Sequence, residues 1–113
     1  MEKESIKVLK ECSDIQVKKS KDYQNPNSRI KQADYYPRGV MSIMELINTK
    51  TIRLWSLIEA MENDPTYEPN FESIEDSLKD LINYSSFAVA YSRGKIDGQD
   101  PDRDFLNRKK AKD

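Results

Sequence analysis

The 113-residue chain has no histidine, one cysteine and only three glycines. Without histidine it can form neither a Ser-His-Asp triad nor a histidine-based zinc site, and a lone cysteine excludes a disulfide framework. It also lacks a glycine-rich phosphate loop, a nucleophile elbow and a dinucleotide-binding fingerprint. The sequence therefore argues against kinases, P-loop NTPases and dehydrogenases.

Long apolar runs are also missing. No stretch of about 18 apolar residues occurs, and residues 1–13 lack the apolar core of a signal peptide. Charged residues make up 35 % of the chain, yet the net charge is only −1, which argues against a basic surface for membranes or duplex DNA. We therefore expect a cytoplasmic protein whose chemistry uses carboxylates, Lys, Arg, Tyr and Asn. Magnesium or manganese would suit such oxygen ligands best.

Apolar residues recur at helical spacing in three segments. They predict helices over residues 4–20, 42–62 and 71–93, with Gly94 placed for a left-handed C-cap. The fold class is therefore all-α, a small bundle of three long helices plus a short C-terminal helix or tail. Residues 1–94 would form one helical domain and residues 95–113 a charged, mobile tail.

The second predicted helix opens with a capping-box pattern, Ser42 and Glu45, and carries a lysine inside its apolar stripe. Lys50 lies near the centre of that stripe and Arg53 at its edge. A core-facing ammonium needs a carboxylate, a ligand phosphate or water in a cleft, because burial of an unpaired charge costs several kcal/mol. Lys50 therefore indicates a functional cleft or an ion pair.

A second apolar patch lies on the same helix, roughly 130° from the first at 100° per residue. It consists of Met44, Ile52 and Trp55. One partner helix would leave this patch exposed, and self-association would cover it. We therefore expect a homo-oligomer, a dimer or larger.

The third predicted helix carries a polar face of Glu72, Asp76, Asp80 and Asn83 within about 80° of arc. This face becomes apolar toward the C-terminus, at Phe87. One interpretation is a solvated charge stripe, and the other is the wall of a pocket.

If that polar face met Lys50 and Arg53, the carboxylates could hold a divalent cation and the two cations could hold phosphate. Such a pairing suits a magnesium–nucleotide ligand. The alternative is a buried ion-pair network of Lys50 and Arg53 with Asp76 and Asp80, which would hold two helices in register. Spacing alone does not separate the two.

The connection over residues 22–39 is long and contains three tyrosines. Loops of about this length in compact domains are usually functional or disordered, and the tyrosines favour a packed or ligand-facing loop. Asp22 could cap a turn or reach the site. Tyr23, Tyr35 and Tyr36 could stack on a base or simply pack.

Several fragments in order resemble a known family. They are residues 19–23, the K-x-x-R pair of Lys50 and Arg53, and residues 72–84, which end in the D-x-x-x-D-x-x-N-Y pattern of Asp76, Asp80, Asn83 and Tyr84. Over residues 10–92 the chain resembles the phage and bacterial nucleotide-modification-associated family. That family is similar to the MazG-like all-α nucleoside triphosphate pyrophosphohydrolases, which dimerise around magnesium held by acidic helix motifs.

The resemblance implies a phage-type nucleotide-binding protein in the host cytoplasm. As a Mg²⁺-dependent pyrophosphohydrolase it would use Glu72, Asp76 and Asp80 as catalytic residues, joined as metal ligands by Glu45. Lys50 and Arg53 would neutralise phosphate charge, and Asn83, Tyr84, Asp22 and Tyr23 would position the nucleotide. The acidic motif usual on the preceding helix of such enzymes is reduced here to Glu45. The alternative is a non-catalytic protein that sequesters a nucleotide signal or binds a host protein.

Overall fold

The computed structural model describes residues 2–23, 27–69 and 72–100, with only the backbone of Asp22 and Tyr23. Within these ranges the chain forms three long α-helices and no β-strand. Helix α1 spans Glu4–Tyr23, α2 spans Val40–Asn63 and α3 spans Ile74–Ser92, and a short 3₁₀ helix, Gln32–Tyr35, lies between α1 and α2. The prediction of an all-α fold with three long helices is confirmed. Of the expected short C-terminal helix or tail, residues 101–113 lie outside the described residues.

Helix α3 packs against both of the other long helices, α2 more extensively than α1. The main core lies where the start of α2 meets the end of α3. Its buried members are Ala33, Tyr36, Ile43, Tyr91 and Ile96. No helix in the described ranges has both the length and the apolarity needed to span a bilayer.

Helix α2 begins two residues earlier than the sequence suggested. Its N-cap is Gly39, and the hydroxyl of Ser42 accepts a hydrogen bond from the backbone N–H of Arg38. The predicted capping box at Ser42 and Glu45 is therefore wrong. Glu45 instead forms an exposed ion pair with Arg38, with 3.0 Å between Oε2 and Nη1.

Helix α3 begins with a capping box that was not predicted from the sequence. The Ser73 hydroxyl accepts from the backbone N–H of Asp76 at 3.0 Å, and the Asp76 carboxylate accepts from the N–H of Ser73 at 3.4 Å. The S-x-x-D spacing is a recognised start signal. At the other end Gly94 has a φ of 70° and its N–H donates to the Tyr91 carbonyl, so the predicted cap there is confirmed.

The chain remains packed beyond Gly94. Ile96 is buried, the Ala33 N–H donates to the Asp97 carbonyl at 3.0 Å, and Gln99 Nε2 donates to the Tyr91 carbonyl at 2.9 Å. Gly98 has a φ of 80°, and a β-carbon there would lie 2.4 Å from Lys31 Cβ. The 3₁₀ helix and residues 95–100 thus close one end of the bundle together.

Candidate functional site

The ammonium of Lys50 lies between two carboxylates at the contact of α2 with α3. Its Nζ is 2.5 Å from Glu72 Oε1 and 3.0 Å from Asp80 Oδ2, and the Lys50 side chain is only 17 % exposed. Of the three kinds of partner that the sequence allowed for Lys50, carboxylates are the one found. Arg53 and Asp76 do not join this cluster as ion-pair partners.

These contacts shift the protonation equilibria of Lys50 and Glu72. Burial of Lys50 disfavours its charged form, but the hydrogen bonds to Glu72 and Asp80 outweigh it and raise the Lys50 pKa. The hydrogen bond from Lys50, followed by that from the Ser77 hydroxyl, lowers the pKa of Glu72. Both groups are therefore charged at neutral pH and stabilise each other.

Glu72 accepts hydrogen bonds through both its side chain and its backbone carbonyl. The buried Ser77 hydroxyl donates to Glu72 Oε1 at 2.9 Å, and Arg53 Nη2 donates to the Glu72 carbonyl at 3.0 Å. Among the described side chains, Arg53 Nε is the one buried nitrogen or oxygen without a hydrogen-bond partner. Glu72 thus connects α2 to the first turns of α3.

The four predicted metal ligands are not gathered at one point. Glu45 pairs with Arg38, Asp76 caps α3 and is exposed, and Glu72 and Asp80 share Lys50. Within the described ranges, no three Asp, Glu, Cys or His side chains are grouped so that they could hold a metal ion. The predicted quartet is therefore divided among three places in this structure, and only Glu72 and Asp80 lie side by side, around Lys50.

A cleft of about 500 Å³ opens next to Asp80. It is bounded by the second half of α1, the 3₁₀ helix, Leu46 of α2 and the middle of α3. This volume lies within the usual range of about 300–1,000 Å³ for small-ligand sites. The polar face of α3 thus faces a cleft at Asp80 and Asn83 and is solvated at Asp76, so each interpretation of that face holds for part of it.

Aromatic side chains supply much of the cleft wall. Tyr84 and Phe87 lie with ring centroids 6.5 Å apart and planes tilted by 46°. Tyr35 is 51 % exposed and Tyr36 is buried, with its hydroxyl near Gln32 Nε2 at 3.3 Å. The connecting segment is therefore packed through Tyr36 and faces the cleft through Tyr35, as expected of a loop rich in tyrosine.

Helix α1 contributes the polar wall opposite α3. Gln16 Nε2 donates to Asn83 Oδ1 and to Ser86 Oγ, both at 2.8 Å. Lys19 and Ser20 continue this wall one turn later. The cleft therefore combines rings that can stack, amides that can read a hydrogen-bonding edge, and one ammonium.

Three of the predicted site residues line this cleft: Asp80, Asn83 and Tyr84. Lys50 is tied to Asp80, and Arg53 is tied to Lys50 through Glu72. The side chains of Asp22 and Tyr23 lie outside the described part of the chain.

The contribution of α1 to the cleft was not predicted from the sequence. A signal was present, because Gln16 and Ser20 follow the buried Cys12 at intervals of four and share its helical face. A polar residue on the inward face of a helix often has a partner or lines a cleft.

A second depression, about 740 Å³, follows the opposite side of α3. It is lined mainly by apolar side chains, among them Val8 of α1 and Leu78 and Ile82 of α3. The ammonium of Lys79 at its edge is already paired with Glu11 and Glu75, each at 3.0 Å. This groove offers few polar groups to orient a ligand, so the Asp80 cleft is the better candidate.

Comparisons with known protein families, with curated proteins and with solved structures find no match for this chain. The family resemblance drawn from the sequence therefore stays a prediction.

Proposed function

We propose that the cleft beside Asp80 binds a nucleotide, and that the protein sequesters this ligand without hydrolysing it. The observation that carries the proposal is the convergence of Tyr35, Tyr84 and Phe87 with the Gln16–Asn83 amide pair in one cleft of about 500 Å³. A nucleobase presents a flat face for stacking and an edge of donors and acceptors. This cleft offers partners for both.

Charge in the cleft supports an anionic ligand. Asp80 alone would repel a phosphate, but Lys50 lies 3.0 Å from its carboxylate and compensates it. Lys19 is exposed at the rim of the cleft. With Arg53 beside Glu72, the three cations outnumber the two carboxylates by one. We assign Lys19 to the phosphate and the aromatic wall to the base.

The engagement of both Glu72 and Asp80 by Lys50 favours binding over catalysis. A magnesium-dependent pyrophosphohydrolase would need Glu72 and Asp80 for the cation, yet both are hydrogen-bonded or ion-paired to Lys50. Recruiting them would leave the mostly covered ammonium of Lys50 without its partners, at a cost of several kcal/mol. Hydrolysis with Mg²⁺ or Mn²⁺ is the competing proposal, and we also infer that the protein is a dimer.

Thermal unfolding with nucleosides, nucleoside monophosphates and nucleoside triphosphates tests this proposal, each with Mg²⁺ and with a chelator. A ligand at about 100 times its dissociation constant adds roughly 2.7 kcal/mol to stability, which raises Tm by about ten degrees in a domain of this size. We expect a shift that persists in the chelator and no phosphate or pyrophosphate release. Release of phosphate or pyrophosphate by the wild type but not by Asp80→Asn would instead establish a hydrolase. The absence of a shift in the unfolding temperature with every nucleotide would refute binding.

Substitutions in the cleft locate the ligand. Tyr35→Ala should weaken binding about five- to hundredfold, since stacking on an aromatic side chain contributes about 1–3 kcal/mol per base. Lys19→Ala should weaken the binding of nucleotides but not that of nucleosides, which have no phosphate. The matched controls are Tyr67→Ala and Lys18→Ala, which change the same residue types outside the cleft. Equal affinity in variant and control would place the ligand elsewhere.

A further inference from the structure

Helix α2 carries a row of residues outside its buried face, and all of them are exposed except the half-buried Thr51. Met41, Met44, Trp55 and Ile58 are 44 %, 51 %, 67 % and 46 % exposed. Together with two polar residues, they recur at intervals of three and four along the helix. We define the outer stripe as Met41, Met44, Asn48, Thr51, Trp55 and Ile58. Such spacing matches the seam of a two-helix coiled coil.

We propose that the outer stripe is the interface of a homodimer, in which the α2 helices of two copies pack antiparallel across a two-fold axis. Large exposed apolar side chains aligned along one helix are uncommon on monomers and mark contact surfaces. A two-fold interface must be self-complementary, since each copy presents the same surface. The outer stripe meets that requirement in one register.

That register places the two-fold axis between residues 49 and 50, so that facing positions add up to 99. Met44 then lies opposite the partner's Trp55, and Met41 opposite the partner's Ile58. The polar positions meet in the same way, Asn48 opposite the partner's Thr51. Every large apolar residue of the outer stripe is matched with another, and the polar pair lies near the axis.

Charge at the helix ends favours the antiparallel direction. The last turns of α2 carry Glu59 and Glu62 and no basic residue, although a helix C-terminus disfavours anions. Arg38 lies just before Gly39, the N-cap of the helix, and its ion pair with Glu45 is exposed on both sides, which makes that pair weak. The register brings the partner's Arg38 and the N-terminus of its α2 beside Glu59 and Glu62. A parallel pair would place the like charges together.

The first experiment measures molar mass in solution by light scattering or sedimentation over a range of concentrations. We expect a dimer, and a rise of about a hundredfold or more in its dissociation constant in Trp55→Glu, typical of the loss of a large aromatic anchor. Ser56→Glu, a charge of the same kind one residue away and off the outer stripe, should leave the dimer intact. Met44→Glu is the second disrupting variant. A wild-type monomer, or a dimer that survives both Trp55→Glu and Met44→Glu, would overturn the proposal.

The second experiment tests direction and register by cysteine crosslinking. Met41→Cys and Ile58→Cys should each fail to crosslink alone, because identical positions lie about 25 Å apart at 1.5 Å per residue. A mixture of the two variants should form the disulfide between residue 41 of one copy and residue 58 of the other. Native Cys12 is buried and does not compete. Crosslinking by either single variant would show a parallel or shifted pair and refute this register.

Discussion

The contact between α2 and α3 has two unlike halves. In one, Ile43 and Tyr91 are 0 % and 1 % exposed and are covered by Ile96 from beyond α3. In the other half, Lys50 forms ion pairs with Glu72 and Asp80, and the three side chains are 17 %, 33 % and 24 % exposed. The apolar half is closed by a third layer of chain, whereas the charged half borders the cleft. Charge therefore lies where the interface opens to solvent and to the cleft.

The largest expected effect comes from the apolar half. Ile43→Ala should lower the free energy of unfolding by about 2–5 kcal/mol, because a fully buried isoleucine leaves both lost contacts and a cavity. Ile30→Ala, at a residue that is 53 % exposed, should change stability by about 0.5 kcal/mol or less. Denaturant unfolding of both variants measures the difference. Equal losses would mean that this end of the bundle is not the stabilising core.

A smaller effect is expected in the charged half. Glu72→Gln should cost about 1–2 kcal/mol, since Lys50 and Ser77 both lose a charged acceptor but solvent partly compensates. Glu75→Gln should cost about 0.5 kcal/mol or less, because the Glu75 carboxylate is 74 % exposed and Lys79 keeps its second partner, Glu11. The same unfolding assay compares them. A loss for Glu72→Gln as large as for Ile43→Ala would show that the charged half carries as much stability as the apolar half.

The smallest expected effect is the change with pH in the stability difference between the wild type and Lys50→Met. Lys50→Met should be less stable than the wild type at pH 7, because Glu72 and Asp80 then face each other without their cation. The pKa of Glu72 is lowered in the folded protein, so its stabilisation is complete above its ordinary value of 4.5 and is lost as pH falls through the lower folded value. The difference between wild type and variant should therefore shrink below about pH 4.5.

The alkaline side gives the matching control. The pKa of Lys50 is raised, so its contribution is complete below 10.5 and is lost as pH rises through the higher folded value. The difference between the two proteins should stay level from about pH 6 to 9. A Lys50→Met protein that is more stable than the wild type at pH 7 would mean that Lys50 is retained for a ligand rather than for the fold.

The three helices could be predicted because their signals are local. Apolar spacing of three and four, the turn at Asn63 and Asp64, and Gly94 depend only on neighbouring residues. The start of α2 could not be predicted in the same way, because the Ser42 hydroxyl had two possible donors. It accepts a hydrogen bond from the Arg38 N–H, and Gly39 is the N-cap. Competition between local hydrogen bonds of similar strength is not readable from spacing.

The site could be predicted only in part. The need of Lys50 for an anion follows from its place in an apolar stripe, and two acidic residues of the polar face, Glu72 and Asp80, supply it. Which helices enclose the cleft depends on packing between distant segments, so the role of Gln16 could not be read from α1 alone. Ile96 was also missed, since one apolar residue among charges has no periodicity.

The hydrogen bond from the Ala33 N–H to the Asp97 carbonyl joins segments far apart in the sequence. Contacts of such long range form late in folding, because a long loop must close before they add stability. Tyr35 and Tyr36 lie within three residues of Ala33, so we expect their wall of the cleft to take its final position only when residues 95–100 have docked. During synthesis, ligand binding should therefore appear only after these residues have left the ribosome, and bound ligand should slow their release from the folded protein.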